Sequence, residues 1–198
     1  MIARVVASGA FDPSQAIGPE LVRGPTMPQR NEKMRIREAT EQDWAAIWPF
    51  LGAIIGAGES FGYDTDMSEA QAHATWLDLP PSRTVVATDA TGEVMGTANL
   101  HRNRGGPGSH VASATFVVDP KHQGQGVGRA LVEDALAWAR SEGYRAVQFN
   151  AVVETNTAAV GLYESLGFEV VGTVPEGFDH PRHGYVGLHI MYQRLTPA

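Results

Sequence analysis

The sequence predicts a single-domain α/β fold, a mixed sheet of about seven strands flanked by about four helices. Three observations carry this expectation. Runs with strand and helix periodicity follow one another in the order β-α-α-β-β-β-α-β-α-β-β. One apolar strand, Thr115-Phe116-Val117-Val118, passes through Pro120 into a turn with glycines at 124, 126 and 128 that opens an amphipathic helix. The chain has 198 residues, 43% hydrophobic and 19% charged, which suits one globular domain with a sizeable core.

The elements follow in order. A strand is predicted over Met34–Ala39, and Thr40-Glu41-Gln42-Asp43 then supplies an N-cap and an acidic first turn for a helix running through Trp44 and Ile47 and past Pro49. Met67 to Leu77 reads as a second helix. Val85–Thr88 and Glu93–Leu100 flank Asp89-Ala90-Thr91-Gly92, a hairpin signal. A glycine-rich loop, Arg102–Ser109, leads into a strand over His110–Val118. Leu131, Val132, Leu136 and Trp138 give helical spacing over 126–142. A buried strand over 146–152, a helix over 156–166, and strands over 168–174 and 185–194 complete the sheet.

The glycine-rich turn is built to hold an anion. Glycines let backbone N–H groups converge on one point, and the unpaired N–H groups at the start of the next helix face the same point with the positive end of its dipole. A mononucleotide P-loop would need Gly-Lys-Ser or Gly-Lys-Thr, which is absent, and the spacing G-x-G-x-G does not fit the dinucleotide fingerprint.

What the turn does match is Gln-x-x-Gly-x-Gly, as Gln123-Gly124-Gln125-Gly126-Val127-Gly128. After one intervening strand, Asn156, Ala159, Leu162-Tyr163-Glu164 and Leu166-Gly167-Phe168 match Asn-x-x-Ala-x-x-Leu-Tyr-Glu-x-Leu-Gly-Phe. Together these ordered motifs resemble the two halves of the GCN5-related N-acetyltransferase (GNAT) signature. The resemblance covers roughly Met34 to Leu195 and is strongest between Ala114 and Gly172. It implies a mostly antiparallel sheet with a splayed central parallel pair, the splay being created by a bulge in the first strand of that pair. It also implies acetyl-CoA as co-substrate, with no metal.

Further roles come with the resemblance. Gln123, Gly124, Gln125, Gly126, Val127, Gly128 and Arg129 are expected to hold the pyrophosphate, while Phe116, Val117 and Val118 meet the pantetheine arm and the acetyl carbonyl. The alternative for Val117 and Val118 is an ordinary place in the core. Tyr163 is expected to donate a proton to the departing thiolate, its alternative being a core tyrosine with its hydroxyl at the edge. Asn156 is expected to bond the cofactor arm, a role compatible with capping its helix. Many family members take the amine's proton with a glutamate on the strand before the glycine turn, but Val111-Ala112-Ser113-Ala114-Thr115 has no carboxylate. That leaves Glu154, His110 or a water held by Ser113 and Asn150.

Phe149-Asn150-Ala151-Val152-Val153-Glu154-Thr155-Asn156 is similar to a segment of the fungal proline-analogue N-acetyltransferases in which the first asparagine helps bind the substrate carboxylate. Asn150 is the candidate for that role here. The second such asparagine falls near Ser113, a departure from the pattern. The Gly58–Asp64 segment, with Phe61 and Tyr63, and the Val174–Phe178 segment resemble acceptor-site loops, as in phosphinothricin-type acetyltransferases. His180-Pro181-Arg182-His183 carries two histidines but no third metal ligand, so it reads as a solvated or acceptor-lining loop.

The expected activity is acetyl transfer to the amine of a small molecule, an amino acid or analogue, by direct attack in a ternary complex. The alternatives are a protein or peptide N-acetyltransferase and a non-catalytic acyl-CoA sensor. With no cysteine, an acyl-cysteine intermediate, disulfides and thiolate metal sites are excluded. A net charge of −7 and only two lysines argue against nucleic acid as a partner. No apolar run is long enough to span a membrane, and no targeting signal is read, so a cytoplasmic location is expected. Residues 1–33, with four prolines between Asp12 and Lys33, read as a loosely ordered leader before a domain spanning 34–198. The resemblance also implies a homodimer through the region after the last helix.

Overall fold

A computed structural model describes residues 34–77 and 82–195; the expected leader lies outside the described residues. Seven strands form one sheet in the order β1-β2-β3-β4-β5-β7-β6: β1 Arg35–Glu38, β2 Arg83–Thr88, β3 Val94–Arg102, β4 Val111–Val118, β5 Ala146–Val153, β6 Glu169–His180 and β7 Gly184–Arg194. All neighbours are antiparallel except β4 and β5. The helices are α1 Trp44–Ala57, α2 Glu69–Trp76, α3 Val127–Ser141 and α4 Thr157–Ser165. The predicted order of elements is the observed one.

The period of two in the central strands sorts side chains to two faces. Val86, Val94 and Val117 pack against Trp44, Ile47, Leu51 and Ile55 of α1 and Trp76 of α2. On the other face, Val85, Ala87, Met95 and Leu100 pack against Val127, Leu131 and Ala135 of α3. A second stripe of α3, Val132, Leu136 and Ala139, packs with Val147 and Phe149 of β5 and Met191 of β7.

Two ends differ from expectation. The Thr40–Asp43 cap closes a short 3-10 turn before α1, and there Asp43 also accepts two hydrogen bonds from Arg37, at 2.7 and 2.8 Å. Val174–Phe178 is a bulge within β6, where five residues oppose three of β7 and Glu176 takes a left-handed φ of 51°. The strand therefore runs on to His180 rather than ending at 174.

β4 and β5 pair only through Val111↔Ala146 and Ala112↔Val147. Beyond Ala112 the two strands have no ladder with one another, so backbone groups of Ser113–Val118 and of β5 from Gln148 onward face a gap in the sheet. The expected bulge is not in β4, whose register with β3 runs unbroken from Gly96↔Val118 to Arg102↔Ala112. It lies in β5, where Phe149 to Val152 oppose Met191 to His189 and one extra residue turns Asn150 and Ala151 outward.

Candidate active site

The end of β4 is closed by a 3-10 turn at Pro120–His122, capped by the Asp119 carboxylate, which accepts from Lys121 N at 3.0 Å. Gly124 and Gly126 then take φ of 74° and 83°, and a Cβ at either would meet no atom within 4 Å. Backbone conformation, not crowding, is what asks for glycine there. Gly128 is different: its Cβ would stand 3.3 Å from Leu162, so its glycine serves the approach of α4 to α3. The first intrahelical bond of α3 in this turn runs from Ala130 N to Gly126 O, which leaves the N–H groups of Val127, Gly128 and Arg129 for a ligand.

These residues line a cleft of about 700 Å³ together with Gln123, Arg129, Thr155, Asn156, Leu162, His180, Arg182 and His183. Arg129 is held by Ser165 Oγ at 2.7 Å. Val118 lines the cleft, but two expected contacts do not. The Gln125 side chain turns back to donate to Lys121 O at 3.3 Å, and the Val117 side chain is buried in the α1 core, so strand alternation leaves only its backbone near the site.

A second cavity, of about 380 Å³, shares Ser60, Asn156 and Ala159 with the cleft and reaches into the gap between β4 and β5. Its walls include Phe61, Tyr63, His101, Ser113, Thr115, Phe116, Asn150 and Tyr163. The Tyr163 ring packs against Phe116, Phe149 and Phe168, and this enclosure pushes its phenol up to about 12. Burial also raises Tyr63, whose hydroxyl is hydrogen-bonded with Thr115. Asn156 caps α4 through a bond from Ala159 N at 3.2 Å, and its Nδ2 has no protein partner among the described residues. Asn150 donates to Asn103 Oδ1 at 2.6 Å and accepts from Gln148 Nε2 at 2.8 Å.

The two side-chain candidates for general base fall outside these walls. Glu154 is bolted to β7, its carboxylate accepting from Gly187 N and its own N–H bonding Gly187 O. His110 sits at the opposite end of β4 from the glycine turn, with Nδ1 against Pro107 O. Sequence reasoning missed His101, Asn103 and Gln148. The signal that exposes His101 is its pairing opposite Ser113, visible only once the β3–β4 register is known. The His180 and His183 rings lie 4.6 Å apart, tilted by 48°, and no metal-binding group occurs among the described residues.

Residues 37–168 match the acetyltransferase (GNAT) family profile. The chain belongs to the GNAT acetyltransferase family. The GNAT relatives sharpen this. The L-methionine sulfoximine/L-methionine sulfone acetyltransferase of Pseudomonas paraeruginosa is 30% identical over 146 residues, 71% of this chain and 83% of that one. A GCN5-related N-acetyltransferase from Kribbella flavida is 55% identical, with a TM-score of 0.81 over 83% of this chain and 99% of its own. The phosphinothricin acetyltransferase of Sinorhizobium meliloti, solved with acetyl-CoA, shares the fold at 21% identity and a TM-score of 0.72, over 84% and 94% of the two chains. This GNAT protein is an acetyl-CoA-dependent acyltransferase. No helix among its described residues is long and apolar enough to cross a membrane.

Proposed function

We propose that this protein acetylates the amino group of a small amino acid or amino-acid analogue, by direct attack in a ternary complex. The observation that carries this reading is the small cavity beside the cofactor cleft, with Asn150 on its wall buttressed by Asn103 and Gln148. Each amide NH₂ has two donor hydrogens, so this cluster retains donors for a carboxylate after its internal bonds are made. The Arg182–Glu59 ion pair, at 2.7 Å, ties the β6–β7 turn to the segment after α1 and favours a compact acceptor over a long peptide. The Pseudomonas relative, named for amino-acid analogues, supports the same class.

The residues fit acetyl-CoA, whose thioester supplies the acetyl group. Gly124 and Gly126 present backbone N–H groups to its pyrophosphate, and the gap-facing edges of β4 and β5 offer hydrogen bonds to its amide-containing arm. Phe116 and Phe149 keep water from the reacting carbon. Tyr163 remains protonated at every working pH and holds its proton for the sulfur as the C–S bond breaks. An ordinary thiol titrates near about 8.5, so full transfer from this phenol requires that the thiolate be desolvated in the same apolar enclosure. In this reading the amine's nitrogen attacks directly, and the chain has no cysteine to carry the acetyl group.

The test is thiol release from acetyl-CoA by the purified protein with amino acids, methionine sulfoximine, proline analogues, phosphinothricin, polyamines and short peptides. Turnover confined to the amino-acid group is expected. Preference for peptides would overturn the small-acceptor reading, and tight CoA binding without turnover on any amine would replace it with a sensor.

A further inference from the structure

His180-Pro181-Arg182-His183 does not lie where its sequence suggests. His180 is the last residue of β6, and the turn after it is closed by His183 N donating to His180 O at 3.1 Å. His180, Arg182 and His183 line the cofactor cleft, and none of them is among the described residues that wall the acceptor cavity. Nor is His180 solvated, being only 5% exposed. Phe178 and His183 flank its ring, with centroids at 6.2 and 4.6 Å.

One contact fixes the tautomer of this buried histidine. The backbone N–H of Arg182, which can only donate, meets His180 Nδ1 at 3.1 Å. Nδ1 therefore presents its lone pair, and the ring hydrogen is on Nε2. Buried donors in folded proteins are almost always paired. This one has no protein acceptor among the described residues, so its partner comes from what fills the cleft that His180 lines. The turn is also anchored from outside, because Arg182 is paired at 2.7 Å with Glu59 on the segment after α1. Ser60, the next residue of that segment, lines both the cleft and the acceptor cavity. The anchor thus sets the β6–β7 turn beside the junction of the two spaces, where acetyl group and amine must meet.

We propose that His180 is a cofactor-binding residue whose Nε2–H donates to a neutral oxygen of the pantetheine arm, an amide carbonyl or the hydroxyl, and so positions the thioester at this junction. The chemistry selects the arm over the phosphates. A neutral imidazole offers a single donor, whereas the cleft provides the anion with the backbone N–H groups of the glycine turn and the Arg129 guanidinium. Arg182, the cation nearest in sequence to His180, is already matched by Glu59. The end of β6 thereby gives the cleft a wall that the motifs of the glycine turn and α4 do not report. This inference rests on acetyl-CoA as the cosubstrate and is independent of the acceptor's class.

Calorimetry on the full chain tests it without turnover. His180→Asn keeps an acceptor where Nδ1 stands and loses the donor at Nε2, while His180→Gln does the reverse. CoA should bind His180→Asn about 3–10-fold more weakly than wild type, the worth of one hydrogen bond, and His180→Gln nearly as tightly as wild type. Adenosine 3′,5′-bisphosphate, which lacks the arm, should bind all three proteins alike. In ¹H–¹⁵N spectra of the wild type, His180 should carry its hydrogen on Nε2, and that signal should shift with CoA but not with the bisphosphate. If both variants lose CoA affinity, this signal decides, and its failure to move with CoA overturns the proposal. The reverse order of the two variants would reduce His180 to a prop for the turn, and equal losses for CoA and the bisphosphate, or no loss in either variant, would likewise overturn the assignment. In each of those outcomes the acetyltransferase reading stands. A wild-type protein that binds no CoA would overturn both.

Discussion

Tyr163 shows how far a motif carries at the level of one residue. The Leu162-Tyr163-Glu164 run identifies it in the sequence, and the folded chain adds the three aromatic rings that push its phenol up to about 12. Tyr163→Phe is expected to lower kcat by about 10²-fold with CoA affinity preserved, measured by steady-state kinetics and calorimetry. The shift has a stability consequence of definite sign. Because the folded-state value lies above the unfolded value near about 10, Tyr163 contributes stability fully below that pH and loses it between about 10 and about 12. Wild type should therefore lose more stability than Tyr163→Phe in alkaline melts over that window. Asp43 works in the opposite direction: hydrogen bonding from Arg37 holds its carboxyl far below the usual range. Its stabilisation is present above the unfolded value near about 3.9 and is lost on strong acidification, so Asp43→Asn should cost about 1.5–3 kcal/mol at pH 7 and little at pH 1. His101 was not legible in the same way as Tyr163. No local pattern distinguishes a histidine on β3, and its place on the cavity wall follows only from the register that sets it opposite Ser113 of β4.

Among the elements, strands and helices were legible where periodicity and glycine or proline stops coincide, as in α3 and its glycine turn. The sequence places a bulge by analogy in the first strand of the parallel pair, but the extra residue is in β5, at Asn150 and Ala151. Bulges cost one residue of register and leave no compositional mark, so only pairing reveals them. The same holds for β6, where the sequence ends the strand at 174 and suggests an acceptor-site loop over Val174–Phe178, but the pairing carries it on to His180. Two glycines make contrasting tests. Gly161 lies inside α4 with nothing within 4 Å of its missing Cβ, so Gly161→Ala should raise stability by about 0.5–1 kcal/mol. Gly187 is buried, and a Cβ there would stand 2.6 Å from the Glu154 carboxylate and 2.7 Å from Thr173, so Gly187→Ala should destabilise by about 1–3 kcal/mol. Thermal melts of the two variants, moving in opposite directions, check both.

For the whole molecule, charge and closure act together. A chain of net charge −7 gathers Arg129, Arg182, His122 and His183 around the cleft that faces the pyrophosphate turn, with Glu59 as its one carboxylate among the described lining. The exposed Arg182–Glu59 pair contributes little to stability, of the order of 0–1 kcal/mol. Glu59→Gln should accordingly leave the melting temperature within error while raising the acceptor KM, because it loosens the β6–β7 turn from the opposite wall. The two stripes of α3 have another consequence. Val127, Leu131 and Ala135 grip the β2–β3 side of the sheet, and Val132, Leu136 and Ala139 grip the β5–β7 side. Mechanically the domain is two plates joined by a two-rung seam, and α3 is the dowel driven through both. In the proposed function the pyrophosphate sits on the end of that dowel, so loading the cosubstrate is expected to tighten the joint as well as fill the cleft.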